Sequence, residues 1–179
     1  NNKLETVSQF AKLGIKPDYI KSINELGIFE PTPVQQKAIP FLIQNTSDIV
    51  VQAQTGTGKT AAFGLPILHH MNPKSTNVQA LILTPTRELG QQIAKQLFKF
   101  TKYHKNKIFT EAVYGGEHIS KQLERLKRTT HILVATPGRL VDLLERQVVS
   151  LEHVKTVVLD EADEMLHMGF KKELETILS

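Results

Sequence analysis

The sequence predicts an α/β fold, a mainly parallel sheet with helices on both faces, and three observations carry that prediction. Short apolar runs rich in β-branched residues recur at 49–53, 80–83, 108–113, 132–135 and 154–159. Helix-length segments separate them, and the chemically distinctive residues fall just after the runs. Runs apolar throughout are the mark of strands covered on both faces, and regular alternation with helices argues for parallel pairing.

Taken in order, the first thirty or so residues carry no strand pattern and are expected to pack as short helices beside the sheet. Val34, Ala38, Phe41 and Leu42 mark an apolar helical stripe. The run at 49–53 opens into Ala53-Gln54-Thr55-Gly56-Thr57-Gly58-Lys59-Thr60, after which a helix should run from Lys59 toward His70. Residues 73–77, polar and containing Pro, Ser and Thr, read as a surface loop. The run at 80–83 is followed by a helix whose stripe is Leu89, Ile93, Leu97 and Phe100, and the last run leads directly into Asp160-Glu161-Ala162-Asp163. There is no internal repeat, low-complexity tract or interdomain linker, so one domain is expected over 1–179, with 1–30 as its helical flank.

At 179 residues and 40% hydrophobic, such a domain can bury a substantial core. No segment approaches the roughly 18 apolar residues of a membrane span, and the amino end is polar. Cysteine is absent, which excludes a disulfide framework and thiolate metal ligation. A soluble, unsecreted, cytoplasmic monomer is the expectation. The formal charge is +4 and is unevenly placed: Lys95, Lys99, Lys102, Lys105, Lys107, Lys121, Arg125, Lys127 and Arg128 face only Glu111, Glu117 and Glu124 in the same stretch. A run of this kind is either a solvated face or the footprint of a polyanion.

The Gly-rich loop carries chemistry. Glycines at 56 and 58 permit backbone angles that aim successive amides at a phosphate, next to the positive end of the following helix. Gln54, Thr55, Gly56, Thr57 and Gly58 would form the cradle, Lys59 would reach the terminal phosphates, and Thr60 would offer its hydroxyl to Mg2+. Asp160, ending an apolar strand, is placed to hold the metal, and Glu161 to orient or deprotonate an attacking water. A blander alternative makes Asp160 an N-cap with Asp163 as its capping-box partner.

Asp160-Glu161-Ala162-Asp163 spells the signature of the DEAD-box RNA helicases, and the chain resembles the first RecA-like lobe of that family over nearly all its length. Gly27 to Gln35 looks like the adenine-reading motif, Pro85-Thr86-Arg87-Glu88-Leu89 like the first RNA-contacting motif, Gly115-Gly116 like the glycine pair, and Thr136-Pro137-Gly138-Arg139-Leu140 like the second RNA-contacting motif. The resemblance implies an ATP-dependent RNA helicase with ATP and Mg2+ as cofactors. It implies that Gln35 hydrogen-bonds the adenine edge, supported by Phe10, although Thr32 to Gln35 also spells a capping box. Ile28 stands where the family usually has a base-stacking aromatic, with Phe29 one place later. Pro85, Thr86, Arg87, Gly115, Gly116, Thr136, Pro137, Gly138 and Arg139 would hold the RNA backbone largely without regard to sequence. Asp163 would couple the motifs to the second helicase lobe. That lobe carries the family's arginine fingers, so a chain holding only the first is expected to bind nucleotide but hydrolyse it poorly. The competing readings are another P-loop enzyme such as a DNA translocase, and a nucleotide-regulated RNA-binding scaffold. A GTPase would carry an Asn-Lys-x-Asp sequence, and none occurs.

Overall fold

The structure is a computed structural model that describes residues 8–45, 49–54 and 58–179. The chain begins with α1 (Gln9–Lys12), α2 (Pro17–Glu25) and α3 (Pro33–Gln44), then enters β1 (Ile49–Ala53). Next come α4 (Lys59–His69), β2 (Ala80–Leu83), α5 (Arg87–Phe100), β3 (Thr110–Val113) and α6 (Ile119–Leu126). It finishes with β4 (Ile132–Ala135), α7 (Pro137–Glu145), β5 (Thr156–Asp160), α8 (Ala162–His167) and α9 (Lys171–Leu178).

The strands form one five-stranded sheet in the order β1-β5-β2-β4-β3. All its pairings are parallel: Ala53 lies opposite Asp160, Leu83 opposite both Leu159 and Ala135, and Val113 opposite Ala135. Because strand side chains alternate between faces, the sheet divides the core in two. Ala80, Ile82, Ile132, Val134 and Val158 meet α1 to α5 on one side, where Phe10, Ile23, Ile39, Leu65 and Leu97 are buried. Leu81, Leu83, Leu133, Ala135 and Leu159 meet α7 to α9 on the other, with Leu140, Leu143, Met165 and Leu174.

The helices follow from their sequences. Helix α4 has no polar face between Ala61 and Leu68, and every one of those residues is buried. Helix α5 is amphipathic as read, with Ile93, Leu97 and Phe100 inside. Helix α3 departs from the expected stripe. Its buried side chains are Gln35 and Ile39, whereas Val34 is 52% and Phe41 61% exposed. The capping box at the start of α3 turns Gln35 inward and thereby rotates the apolar stripe away from the core. Strands β3 and β5 each begin two residues later than their apolar runs, although Ile108 is buried. The 73–77 segment is a loop, and no helix among the described residues is long and apolar enough to cross a membrane.

Candidate nucleotide and nucleic-acid site

The described residues of the motifs at 53–60, 85–89, 115–116, 136–140 and 160–163 fall at or just past the carboxyl ends of the strands, where open α/β sheets bind their ligands, and the 27–35 segment reaches them through the bond from Gln35 to Gly58. The rim divides into two zones, one at β1 and β5 and the other at β2, β4 and β3.

In the first zone, strand pairing sets Ala53 beside Asp160, and the Glu161 amide donates to the Ala53 carbonyl at 2.8 Å. Asp160 is buried to 1% exposure. The N-cap position of α8 falls on Glu161, whose side chain makes no capping bond, and not on Asp160. Glu161 has φ 57° and ψ 50°, the left-handed conformation that a side-chain-bearing residue adopts at a cost. The turn aims its carboxylate, with Asp163, into a cavity of about 400 Å³ that Gln54 and Lys59 also line. Val34, Ala38 and Leu42 close the far wall, which explains why the α3 stripe is turned outward. Thr55, Gly56 and Thr57 lie outside the described residues.

Gly58 begins the described part of the loop's far side with φ 80°. Its carbonyl accepts a 2.6 Å hydrogen bond from Gln35 Nε2. Gln35 Oε1 accepts from the Thr32 amide at 3.0 Å, and the Gln35 amide donates to Thr32 Oγ1 at 3.2 Å. Gln35 is therefore a helix cap and a strut on Gly58, the residue leading into α4, with a second Nε2 hydrogen left for another acceptor. It faces a cavity of about 780 Å³ lined also by Ile28, Phe29, Thr60, Gln92 and Gln96. Ile28 is half-buried, whereas Phe29 is 64% exposed and presents its ring to that cavity. Phe10 lines neither cavity; it is fully buried in the core against which Ile28 packs.

In the second zone, the ladder runs past the strands: the Thr84 amide donates to the Ala135 carbonyl at 3.0 Å and the Thr136 amide to the Val113 carbonyl at 3.1 Å. This sets Pro85-Thr86-Arg87, Thr136-Pro137-Gly138-Arg139 and Gly115-Gly116 side by side. Thr86 is an ordinary N-cap, accepting from the Leu89 amide at 3.3 Å, whereas Thr136 caps α7 with no side-chain bond. Gly116 has φ 88°, and both glycines are exposed. The Arg87 guanidinium sits 4.8 Å from the centroid of the Tyr114 ring.

Side chains not expected from the sequence hold this zone together. Tyr114 Oη accepts from Gln91 and donates to Glu117, each at 3.1 Å, and Glu117 pairs with Arg125 at 2.8 Å. Gln122, fully buried, donates to the Tyr114 carbonyl at 2.8 Å and accepts from Arg139 Nη1 at 3.2 Å. Gln122 falls three residues after Ile119 and four before Leu126, so a polar residue in apolar register was the available signal. The basic stretch is likewise partly committed: Arg125 is bound in this network and Lys102 pairs with Glu25 at 3.0 Å, while Lys95, Lys99, Lys105, Lys107, Lys121 and Arg128 stay exposed.

The family model described as DEAD/DEAH box helicase matches residues 32–179, most of the chain. The chain belongs to the DEAD/DEAH box helicase family. Among its relatives, the ATP-dependent RNA helicase CshA of Listeria monocytogenes is 50% identical over 96% of this chain and 32% of that protein. The DEAD-box ATP-dependent RNA helicase CshA of Bacillus subtilis is 46% identical over 95% of this chain and 34% of that protein. The chain thus spans about a third of the length of the curated relatives it matches. Among solved structures, a DEAD box protein from Methanococcus jannaschii superposes with a TM-score of 0.85 at 39% identity, over 94% of this chain and 46% of that one. A variant of S. cerevisiae Dbp5 bound to RNA and ADP BeF3 gives 0.80 at 32% identity, over 94% and 42%. The helicase-family fold, RecA-like α/β, is therefore the fold of this chain.

Proposed function

We propose that this chain is the ATP-binding first lobe of an ATP-dependent RNA helicase, in which ATP binding and hydrolysis drive local remodelling of RNA duplexes or RNA-protein complexes. The observation that carries this reading is the shared rim. The phosphate loop and the Asp160-Glu161 pair stand at β1 and β5, and the backbone-rich Thr-Pro and Gly-Gly segments stand beside them at β2, β4 and β3. The names of the relatives and the RNA- and ADP-BeF3-bound neighbour support it.

In this reading Gln35 reads the adenine edge from the larger cavity, Phe29 and Ile28 meet the base, and Phe10 backs them from the core. The amides of residues 54–58 cradle the phosphates, and Lys59 supplies charge to the terminal ones. Magnesium fits the donor set, since Asp160 and Thr60 offer hard oxygens, and Mg2+ commonly takes one or two carboxylates plus substrate phosphates rather than a protein cage. Bound there, it would neutralise charge on the phosphates, with Asp160 and Thr60 holding it. Glu161 orients the water. Thr86, Arg87, Gly115, Gly116, Thr136 and Gly138 present hydroxyl, guanidinium and amide donors to an RNA backbone, flanked by Pro85 and Pro137, with Arg139 alongside. Recognition of this kind reads phosphate and ribose and not sequence. Asp163 faces the smaller cavity with Glu161 and serves the coupling to a second lobe, which supplies the arginine fingers in the parent protein. The lobe on its own, 1–179 with its helical flank, is a cytoplasmic monomer that binds ATP and turns it over slowly.

Calorimetric titration with ADP and with GDP in magnesium buffer tests the assignment. ADP should bind at least about tenfold tighter, the scale of one charge-free hydrogen-bond mismatch in a buried site. Gln35→Ala should erase the preference. Equal affinity for the two nucleotides in the unaltered chain would remove the adenine reader and return other P-loop enzymes to contention.

A further inference from the structure

The exposed Gly115-Gly116 turn is held at both ends by one pair of side chains. Gln122 Nε2 donates to the carbonyl of Tyr114, the residue before the glycines, at 2.8 Å. Arg139 Nη2 donates to the carbonyl of Glu117, the residue after them, at 3.3 Å. The two side chains are joined by the 3.2 Å bond from Arg139 Nη1 to Gln122 Oε1. A side chain added at either glycine would meet nothing within 4 Å, so packing at the glycines does not fix the turn. Gln122, by contrast, is fully buried. Arg139 comes from the start of α7, immediately after Pro137-Gly138, and is half-buried.

We infer that Gln122 and Arg139 are positioning residues that act as one clamp, fixing the glycine turn relative to the Thr136-Pro137-Gly138 segment so that both present their backbone to one RNA strand. This rests on the RNA-binding reading above, and it changes the role of one residue in it. Arg139 spends two of its guanidinium nitrogens on a neighbouring side chain and a carbonyl; its work is to hold protein backbone, and phosphate charge is met by Arg87 and the exposed lysines. The arrangement has a physical rationale. Glycines let the chain approach a sugar-phosphate backbone closely, but their freedom must be removed before binding or it is lost at binding. Tyr114 extends the clamp to the third segment, because its hydroxyl holds Gln91 and its ring meets Arg87, both on α5. The three segments are thereby pre-set as a unit.

The salt dependence of RNA binding separates a positioning role from a phosphate contact. A residue that neutralises a phosphate contributes about 0.7 to the log-log salt slope on single strands, and one that only positions backbone contributes nothing. The chain is titrated with a fluorescent ten-nucleotide oligouridylate between 50 and 200 mM salt, as the unaltered protein and as Gln122→Met, Arg139→Gln, Arg139→Lys and Arg87→Gln. Gln122→Met and Arg139→Gln should each weaken binding about five- to tenfold with an unchanged slope, and the double variant should be no worse than either alone, as expected of a single unit. Arg139→Lys should lose as much as Arg139→Gln, since an ammonium cannot span both acceptors. Arg87→Gln should lower the slope. Retained affinity in Arg139→Lys, or a slope lowered by about 0.7 in Arg139→Gln, would overturn the inference and make Arg139 a phosphate ligand.

A second measurement needs no RNA. In isotope-labelled protein, the backbone order parameters at Gly115 and Gly116 should fall clearly in both clamp variants while ADP affinity stays unchanged. Unaltered order parameters in Gln122→Met would sink the clamp even if RNA binding fell. Failure of the unaltered chain to bind the oligonucleotide, with the loss of order present, would instead count against the RNA reading and with it the purpose assigned to the clamp.

Discussion

The two zones of the rim are held in shape by different means. At β1 and β5 the backbone is left-handed at Gly58, φ 80°, and at Glu161, φ 57°, and a long-range side-chain bond from Gln35 braces Gly58. At β2, β4 and β3 the backbone is held by a dense set of side-chain bonds centred on Tyr114, Glu117, Gln122 and Arg139. On the proposed function, the difference matches what each zone would bind. A triphosphate is compact and highly charged and can itself complete a loop of converging amides. An RNA backbone is long and weakly discriminating, so its platform must be level before it arrives. Strained dihedrals suit the first task, and redundant hydrogen bonds suit the second.

Substitution at Gly58 should produce the largest effect and strike the comparison at its centre. In Gly58→Ala the new Cβ would lie 2.8 Å from Gln35 Nε2 and 3.3 Å from Thr32 Cγ2, in a conformation already costly for alanine. A stability loss of about 2 kcal/mol is expected from strain and the disturbed cap, with nucleotide affinity falling at least about tenfold and RNA affinity nearly untouched. Denaturant melts and calorimetry check this, and a parallel loss of RNA binding would mean that the zones are not separable.

Glu161→Gly should move stability the other way. Relief of the left-handed strain is worth about 0.5 to 1 kcal/mol, or about 1 to 4 °C in melting temperature, while hydrolysis by the parent protein falls. A melting temperature that drops instead would show that the turn is held by contacts and not tolerated as strain.

The smallest effect concerns acid. Burial raises the Glu117 carboxyl, but hydrogen bonds from Arg125 and Tyr114 outweigh it and hold the group below the ordinary carboxylate value of 4.5. A carboxylate depressed in the folded state stabilises it fully above the unfolded value, and that contribution is lost as the pH falls through the folded one. Melting temperature should therefore decline below about pH 4.5, and Glu117→Gln should flatten part of that decline. An acid limb identical in the two proteins would remove Glu117 from the forces holding the second zone.

Much of this was legible in the sequence, for reasons that differ by element. The strands were readable because burial on both faces demands unbroken apolar runs such as Leu81 to Leu83. Helix α5 was readable because only one side of it meets the sheet, and helix α4 because it follows a glycine and is apolar from Ala61 to Leu68. Helix α3 misled because a single hydrogen-bonding side chain, Gln35, overrode the apolar stripe beside it. The Tyr114 network stayed hidden because its partners are separated along the chain and meet only when β3, α6 and α7 converge. Arg139 shows the limit most clearly: its motif places it at the start of α7, whereas its guanidinium is held by Gln122, which none of those motifs includes.

The strand order carries a consequence for how the molecule comes into being. Strand β5 lies between β1 and β2, yet it is the last strand along the described residues. On a ribosome, more than a hundred residues separate the emergence of Ala53 from that of its neighbour Asp160. At synthesis rates of about 5 to 20 residues per second that interval is several seconds, during which β1 lacks its pairing partner and the carboxylates have not been made. The proposed RNA-facing segments after β2, β3 and β4 are all made earlier. On the proposed function, a chain made only as far as α7 would carry the RNA-facing segments without the carboxylates of the nucleotide site, so nucleotide control would be the last property to be completed.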